Sequence, residues 1–228
     1  LEHVYPNAII ETVPGVTEGQ ACTALVGLNA LERNINNAPG PVTFGACDNG
    51  VMYDKQLFNQ LSKNLDIDVI VWGIRGHVNA ARFPHMFGWI DAKDGRVRKV
   101  SVKVPLKSPE TDPIAIGTFT FRRAKDFRRA VQRLISRDGR VNNEFYIDSC
   151  INDAIDLGMR CDLFEADCFL SWGTPNDLRT FEYWQSCFHK WIGHPYRLEL
   201  DNHIPQDALP ILMERYQSTV PQFPHINI

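Results

Sequence analysis

The chain has 228 residues, of which 44% are hydrophobic and 11% aromatic. This size and composition suffice for one sizeable hydrophobic core and do not require a second complete domain. The formal net charge is −3 and the sequence pI is about 6.2, so no overall positive field recruits nucleic acid or an anionic membrane surface. No stretch of the sequence is apolar for the length of a membrane span, and we expect a cytoplasmic protein.

The cysteine and histidine spacings do not indicate a metal or redox site. The six cysteines are scattered, and no C-x-x-C pair suggests structural zinc or a redox dithiol. We therefore expect buried free thiols. The seven histidines include no H-x-x-x-H pair, which argues against a zinc hydrolase.

The hydrophobic periodicity, taken in chain order, alternates between helix and strand and predicts a layered α/β sheet. Apolar residues at helical spacing predict helices over residues 19–34, 54–63, 124–137 and 205–216. Short apolar runs predict strands over residues 42–46, 67–72 and 114–121, and a hairpin from 86–91 and 97–104 around Lys93-Asp94-Gly95.

Two segments in the C-terminal half are the most informative. The polar run Glu144-Phe-Tyr-Ile-Asp-Ser leads into a helix through Leu157-Gly158 and then into a strand over residues 160–169. The turn Gly173-Thr174-Pro175 then opens another helix. Thr174 suits the N-cap, and Pro175 suits the first helical turn, where its missing N–H costs nothing.

The order of these segments and their residue sequences resemble the sugar-1-phosphate nucleotidyltransferase family, particularly its capsule and lipopolysaccharide sugar branch. The resemblance runs from about residue 13 to residue 184 and rests on segments 15–24, 42–50, 87–95, 116–121, 144–149 and 171–178. It implies a Rossmann-like α/β fold, with a mixed, mostly parallel sheet flanked by helices, of the nucleotide-diphospho-sugar transferase type.

Family members begin with a strand and a glycine-rich loop of the form G-x-G-T-R, and nothing in residues 1–40 matches it. We therefore expect an N-terminally incomplete chain that lacks the first strand and loop and is inactive by itself; the alternative is a natural relative that has lost the loop and the chemistry with it. The resemblance divides the chain into a nucleotidyltransferase-like domain, 1–188, and a C-terminal extension, 189–228. The extension packs on the domain or on a partner subunit, which leaves a homo-oligomer open.

The chemistry that the resemblance implies is attack by a sugar 1-phosphate oxygen on the α-phosphorus of a nucleoside triphosphate, with release of pyrophosphate. Mg²⁺ and cationic side chains are the expected catalytic groups, because charge neutralisation dominates such a reaction. Asp48 follows the strand 42–46, and ligands of open α/β sheets sit at the carboxyl ends of strands. The resemblance makes Asp48 a catalytic Mg²⁺ ligand; the alternative is a turn aspartate in Asp48-Asn49-Gly50.

The resemblance also assigns the sugar phosphate side of the site. Lys103 occupies the position of a catalytic lysine that faces phosphate, with an ordinary strand lysine as the alternative. Gly88, the main chain near Gly117, and Glu144 are the expected sugar-binding groups. The alternatives are a strand bulge at Gly88 and, for Glu144, a carboxylate that interacts with a helix dipole.

At the base pocket, Gly19 and Gln20 resemble the pair that binds the nucleotide base. The same segment also fits a helix N-terminus capped by Thr17. Neither the base nor the sugar can be identified from these residues.

Three positions depart from the family pattern. Ser171 stands where many members have a metal-binding aspartate. We expect Asp167 on the same strand face, where it could substitute; the favoured alternative is an exposed strand-end aspartate. Val102 stands where a sugar-binding glutamate is usual, and Ser149 replaces a common aspartate.

Two other classes of function therefore stay open. One is a non-catalytic sugar-nucleotide-binding or regulatory domain, which the departures favour. The other is a glycosyltransferase of similar architecture, which would carry an Asp-x-Asp-like pair. The segment Cys47-Asp48-Asn49-Gly50 lacks the second acid.

Overall fold

The computed structural model of the chain describes residues 5–35 and 40–219. The chain forms two compact units, the first from residues 1–47 and 51–169 and the second from residues 48–50 and 170–228. The predicted boundary between residues 188 and 189 lies inside a helix of the second unit, Pro175–Lys190. No helix in the described ranges is both long enough and apolar enough to cross a membrane.

The first unit contains most of the regular structure. Its helices are α1 Gln20–Asn34, α2 Lys55–Lys63, α3 Val78–Arg82, α4 Ala124–Ser136 and α5 Ile147–Asp156. Its strands are β1 Val42–Phe44, β3 Val69–Ile74, β4 Gly88–Lys93, β5 Arg96–Val102, β6 Ile114–Phe121 and β7 Cys161–Glu165. A short 3-10 helix, Pro84–Met86, precedes β4. Two further strands, β2 Asn49–Met52 and β8 Cys168–Ser171, pair with each other, and each includes residues of both units.

The main sheet has six strands in the order β1-β6-β3-β7-β5-β4, and β4 also pairs with β6, which closes the circuit of strands. The pairing of β3 with β7 is parallel, whereas β6 runs antiparallel to β1, β3 and β4, and β5 runs antiparallel to β4 and β7. The α/β class is confirmed, but the expectation of a mostly parallel, Rossmann-like sheet is wrong.

The antiparallel pairing of β4 with β5 follows from a tight turn between them. The two strands are joined by Asp94 and Gly95 alone, which have φ angles of 52° and 78°. Positive φ at both central residues is the signature of a two-residue hairpin turn, which can join antiparallel strands only.

The core lies on both faces of β3, whose Val-Ile-Val-Trp run is buried throughout. Val69 and Val71 belong to the larger hydrophobic cluster, with α1, α4 and α5. Ile70 and Trp72 belong to a second cluster, beside Phe58 of α2. The alternation follows from the two-residue period of a strand, and burial on both faces explains the continuous apolar run.

The predicted strand over residues 160–169 is two strands. β7 pairs with β3 as far as Glu165, and Ala166 N–H still donates to the carbonyl of Gly73 at 2.9 Å. Asp167 N–H donates instead to the carbonyl of Met52, also at 2.9 Å. The backbone therefore changes hydrogen-bond partner between residues 166 and 167. The strand-like sequence of residues 160–169 gives no sign of this change.

The second unit is built around α6 Pro175–Lys190 and α7 Leu209–Thr219. Thr174 is the N-cap of α6, as predicted, and its hydroxyl accepts from Asp177 N–H at 3.1 Å. Part of the predicted extension packs on α6, since Gln185 Nε2 donates to the hydroxyl of Tyr196 at 2.6 Å. The helix predicted over residues 205–216 begins later, at Leu209.

All six cysteines are free thiols, as predicted. Their burial differs from the expectation, because Cys150 and Cys161 are buried whereas Cys47 is exposed.

Candidate functional site

In the first unit, the carboxylate of Asp148 lies directly over Gly88. Asp148 is in the first turn of α5, and Gly88 opens β4. A Cβ atom built on Gly88 would be 2.5 Å from Oδ2 of Asp148. The missing side chain of Gly88 therefore makes room for a carboxylate from a distant part of the sequence.

The alternative of a bulge at Gly88 is wrong. Gly88 pairs in register with Val102 on one side and Ala115 on the other. The irregularity in the pairing of β4 with β5 lies between Asp91 and Ala92.

Lys103 follows β5 in an unusual backbone conformation, with a φ of 61°. A non-glycine residue in this region costs on the order of 1 kcal/mol or more, and such residues cluster at functional sites. Its N–H donates to the carbonyl of Phe87 at 3.0 Å, and Nζ donates to the carbonyl of Met86 at 2.5 Å. Lys103 is therefore not an ordinary strand lysine.

The surroundings of Asp148 raise its pKa to about 6. Burial of the carboxyl group is the main cause, and the positive charge of Lys103 acts in the opposite direction. No donor within the described ranges hydrogen-bonds to this carboxylate. A perturbed carboxyl group next to a cation and a close-approach glycine is typical of a binding or catalytic site.

The sequence-based prediction omits Asp148 as a site residue. Its position near the end of the segment 144–149, just inside a helix, is the signal that indicates it. No spacing in the sequence indicates that Asp148 meets Gly88, because the two positions are 60 residues apart.

Glu144 lies just before this helix and is exposed. It forms a β-bridge with Val141, and its carboxylate interacts electrostatically with the hydroxyl of Tyr146. Burial, and next the charge of Glu144, raise the pKa of Tyr146. Because α5 begins at Ile147 with Tyr146 as its N-cap, Glu144 is outside the first helical turn. The helix-dipole alternative is therefore weakened, and a contact with the sugar stays a prediction.

Gly117 lies in an irregular part of β6. The register of β3 against β6 changes between Val71, opposite Phe119, and Gly73, opposite Ala115. Gly117 has a φ of 72°, which favours glycine, and its carbonyl accepts from Ala46 N–H at 3.1 Å. A bulge thus accounts for the glycine, and a sugar contact near it stays a prediction.

Gly19 is required by the fold itself. Its φ is 129°, and a Cβ atom at this position would be 2.6 Å from the backbone nitrogen and 2.7 Å from the backbone oxygen of Phe145. It is also the N-cap residue of α1, which begins at Gln20, so the alternative with Thr17 as N-cap is wrong. Gln20 is exposed at this helix terminus, and base binding by the pair stays a prediction.

The segment that contains Gly19 is tied to the segment before α5. Phe145 N–H donates to the carbonyl of Glu18, and Ala21 N–H donates to the carbonyl of Phe145, both at 2.9 Å. Arg140 lies 2.6 Å from the carboxylate of Glu18 and stacks on the ring of Phe145 at 4.0 Å from the ring centroid. The proposed base-binding and sugar-binding segments are therefore held in one arrangement.

In the second unit, Asp48 is an exposed carboxylate beside Gly173. Trp172 N–H donates to the carbonyl of Asp48 at 2.8 Å. A Cβ atom on Gly173 would be 2.8 Å from Oδ2 of Asp48 and 3.8 Å from the hydroxyl oxygen of Ser171. Since β2 begins at Asn49, Asp48 precedes a paired strand rather than standing in an isolated turn.

The residues around Asp48 fit a magnesium site with a single protein carboxylate. Mg²⁺ commonly takes one or two carboxylates and fills its other positions with water and phosphate oxygens. Ser171 adds a hydroxyl, which donates to Oδ2 of Asp177 at 3.2 Å. Within the described residues, no three His, Cys, Asp or Glu side chains form a metal-binding group. The idea that Asp167 shares a strand face with Ser171 fails, because Asp167 lies between β7 and β8.

No profile of a known protein family matches the chain, and no curated protein matches it. Among solved structures, it matches a nucleoside-diphosphate-sugar pyrophosphorylase from Vibrio cholerae RC9, with a TM-score of 0.59 and 18% identity over 74% of this chain and 66% of that one. The chain has the fold of that pyrophosphorylase. The predicted resemblance is confirmed at the level of the fold.

Two other solved structures are similar but less closely superposable. An inositol-1-phosphate CTP transferase from T. maritima has a TM-score of 0.46 and 11% identity, over 68% of this chain and 56% of that one. A protein from Bacillus anthracis assigned as a glucose-1-phosphate thymidylyltransferase has a TM-score of 0.47 and 16% identity, over 67% and 58%. The chain spans less than two thirds of the length of each of the three structures.

Proposed function

We propose that the chain is the substrate-binding part of a sugar-1-phosphate nucleotidyltransferase. The reaction joins the nucleotidyl group of a nucleoside triphosphate to a sugar 1-phosphate and releases pyrophosphate, in the cytoplasm, for the synthesis of surface polysaccharide. One observation supports this more than any other. In a fold shared with a nucleoside-diphosphate-sugar pyrophosphorylase, a carboxylate with a pKa raised to about 6 lies over Gly88, close to the charge of Lys103.

Lys103 is the proposed phosphate-binding cation of this site. Its Nζ is held by a neutral carbonyl, that of Met86, at 2.5 Å. A phosphate oxygen is a stronger acceptor, because a hydrogen bond between two charged groups is roughly twice as strong as a neutral one. Exchange of the carbonyl for phosphate would orient the sugar phosphate anion, and orientation with charge neutralisation is the main requirement of nucleotidyl transfer.

The sugar ring would contact Glu144 and the main chain near Gly88 and Gly117. Glu144 is exposed, and its carboxylate has acceptor capacity for sugar hydroxyl groups. The base would contact the main chain at Gly19 and the exposed side chain of Gln20.

Asp48, with Ser171 through water, would hold Mg²⁺. The ion, when bound, neutralises charge on the phosphate groups. Asp48 is exposed and borders a glycine, so phosphate oxygens have access to its carboxylate.

A second candidate is a domain that binds a sugar nucleotide without catalysis. The observation in its favour is Ser171, a hydroxyl where the resemblance expects a carboxylate. A hydroxyl is a weaker Mg²⁺ ligand than a carboxylate, and metal-dependent turnover would suffer more than binding.

The two candidates are separated by measuring binding and turnover on one protein, as the gene encodes it in full. Pyrophosphate release is assayed with panels of nucleoside triphosphates and sugar 1-phosphates, with Mg²⁺ and with a chelator. Binding of nucleoside diphosphate sugars is measured in parallel. Metal-dependent release supports the transferase, whereas tight binding with no release in any combination supports the binding domain.

A further inference from the structure

The carboxylate of Asp148 is unusual because it accepts no hydrogen bond from the described residues. It is partly buried, and no donor in residues 5–35 and 40–219 hydrogen-bonds to it. Most polar groups that are shielded from bulk water have a hydrogen-bond partner in the protein. Asp148 is only partly buried, so a donor group of a ligand can reach its carboxylate.

Several elements meet around this carboxylate. The first residue of β4, Gly88, lies under it, and the Cβ of Ala115 in β6 is 3.6 Å from the point where a Gly88 Cβ would be. The titratable groups that interact electrostatically with it are Lys103 after β5, Tyr146 before α5 and Cys150 on α5. One step further out, Glu144 faces Tyr146, and His85 contacts the carbonyl of Lys103. Lys103 is the neighbour whose charge favours the ionised form of Asp148.

We propose that Asp148 is a specificity-determining residue that accepts a hydrogen bond from a hydroxyl group of the sugar phosphate. This inference rests on the proposed function and deepens it. Asp148 is not among the residues that the resemblance assigns to the sugar.

The charges around the site determine which part of the ligand lies where. A carboxylate repels phosphate, so the phosphate group binds on the side of Lys103 and a neutral donor binds at Asp148. Free phosphate can pair only with Lys103, and an uncharged sugar can donate a hydrogen bond only to Asp148. A phosphorylated sugar satisfies both.

The proposal predicts a specific pH dependence. A carboxylate is a better acceptor than a protonated carboxyl group, and burial places the pKa of Asp148 at about 6 in the unliganded chain. Binding of the sugar hydroxyl should therefore strengthen as the pH rises through this value. The ligand phosphate also ionises in this range, at a pKa of about 6. A variant without the Asp148 carboxyl group is needed to separate the two effects.

The experiment compares the wild type with Asp148→Asn and with Asp156→Asn as a matched control. Asp156 is on the same helix, exposed and paired with Arg133 at the surface. Glucose, galactose and mannose 1-phosphates, and inorganic phosphate, are titrated into each protein at about pH 5 and about pH 7.5, on either side of the ionisation. Circular dichroism confirms that each variant is folded.

For the sugar phosphate that the wild type binds best, Asp148→Asn should weaken binding by about tenfold at the higher pH, the effect of one hydrogen bond to a charged group. The loss should be much smaller at the lower pH. Inorganic phosphate should bind to this variant as well as to the wild type or better, because a like charge is removed. Asp156→Asn should match the wild type throughout.

Each other outcome contradicts the inference in a recognisable way. Equal sugar phosphate affinity of wild type and Asp148→Asn at the higher pH removes the role of Asp148 and leaves the proposed function intact. If Asp148→Asn lost inorganic phosphate and sugar phosphate binding equally, Asp148 would act on the phosphate group, which also contradicts the inference. If the folded wild type binds no sugar phosphate, both the inference and the proposed function fail.

Discussion

Oδ2 of Asp148 lies only 2.5 Å from the point that a Cβ of Gly88 would occupy. The first turn of α5 and the first residue of β4 therefore fit together only because residue 88 has no side chain. The contact places a carboxyl group of raised pKa close to the charge of Lys103.

Gly88→Ala should push the Asp148 carboxylate away and weaken sugar phosphate binding. The φ of Gly88 is not positive, so alanine meets no backbone strain, and the effect should come from the displaced carboxylate. Overpacking of this kind costs about 1–3 kcal/mol in unfolding free energy. The binding and urea-unfolding measurements are repeated with Gly88→Ala in an Asp148→Ala background. In that background, Gly88→Ala should reduce the unfolding free energy and the sugar phosphate affinity much less. Reductions as large as in the wild-type background would mean that another contact is responsible.

Gly19→Ala should destabilise the chain strongly. The added Cβ would meet the backbone of Phe145, which cannot move without breaking its hydrogen bonds to Glu18 and Ala21, and the φ of 129° is itself unfavourable for alanine. We expect a loss of about 2–4 kcal/mol in unfolding free energy, measured by denaturant titration.

Gly27→Ala is the matched control, because Gly27 lies inside α1 with open space around it. Alanine is the better helix former, so this variant should gain about 0.5–1 kcal/mol. Similar changes for the two variants would contradict the account of Gly19.

Asp148 should make the stability of the chain fall with rising pH. Its pKa is higher in the folded chain, at about 6, than the ordinary value of 3.8. The folded state therefore keeps a proton that the unfolded state has released, and the unfolding free energy decreases between about pH 4 and pH 6. The rise in pKa corresponds to a change of at most about 3 kcal/mol in the unfolding free energy. Contact of the carboxyl group with solvent should reduce this change to about 1–2 kcal/mol.

Asp148→Asn should lack this decrease, because the amide does not titrate. Chemical denaturation of both proteins at several pH values measures it. A constant difference in unfolding free energy between wild type and variant across the range would show that the pKa is not raised.

Asp48→Asn should lower the Mg²⁺-dependent rate by about 100-fold or more with little change in fold, since an amide keeps the shape but lacks the charge that holds the ion. Nucleotide affinity should change less than the rate. Asp54→Asn is the control: Asp54 caps α2 through Gln56 and Leu57, and asparagine caps equally well. An unchanged rate in Asp48→Asn would return Asp48 to a structural role.

The types and positions of most elements were predictable from local pattern. The buried β3 follows from its Val-Ile-Val-Trp run, and the start of α6 follows from Thr174 and Pro175. The direction of the strands was not predictable from local pattern. Whether β6 runs parallel or antiparallel to β3 depends on pairing between residues about 45 positions apart. The resemblance supplied a mostly parallel sheet, and the tight turn at Asp94-Gly95 is the local feature that argued against it.

The candidate site was predictable in part. Gly88 and Lys103 were identified from the resemblance, and the structure places both near one carboxylate. The carboxylate itself, Asp148, was missed because its environment is created by the contact of α5 with β4, which no spacing in the sequence encodes. Conversely, the glycine at position 19 has a sufficient structural reason in Phe145, and glycine there does not by itself indicate a ligand.

Pyrophosphate release by the protein, as its gene encodes it in full, tests the central claim most directly. The assay supplies a panel of nucleoside triphosphates and sugar 1-phosphates with Mg²⁺, and omits each component in turn. We expect release that requires all three components and that falls in both Asp48→Asn and Asp148→Asn. Release that continues without a sugar phosphate, or its absence with every pair from a folded protein, would contradict the nucleotidyltransferase assignment.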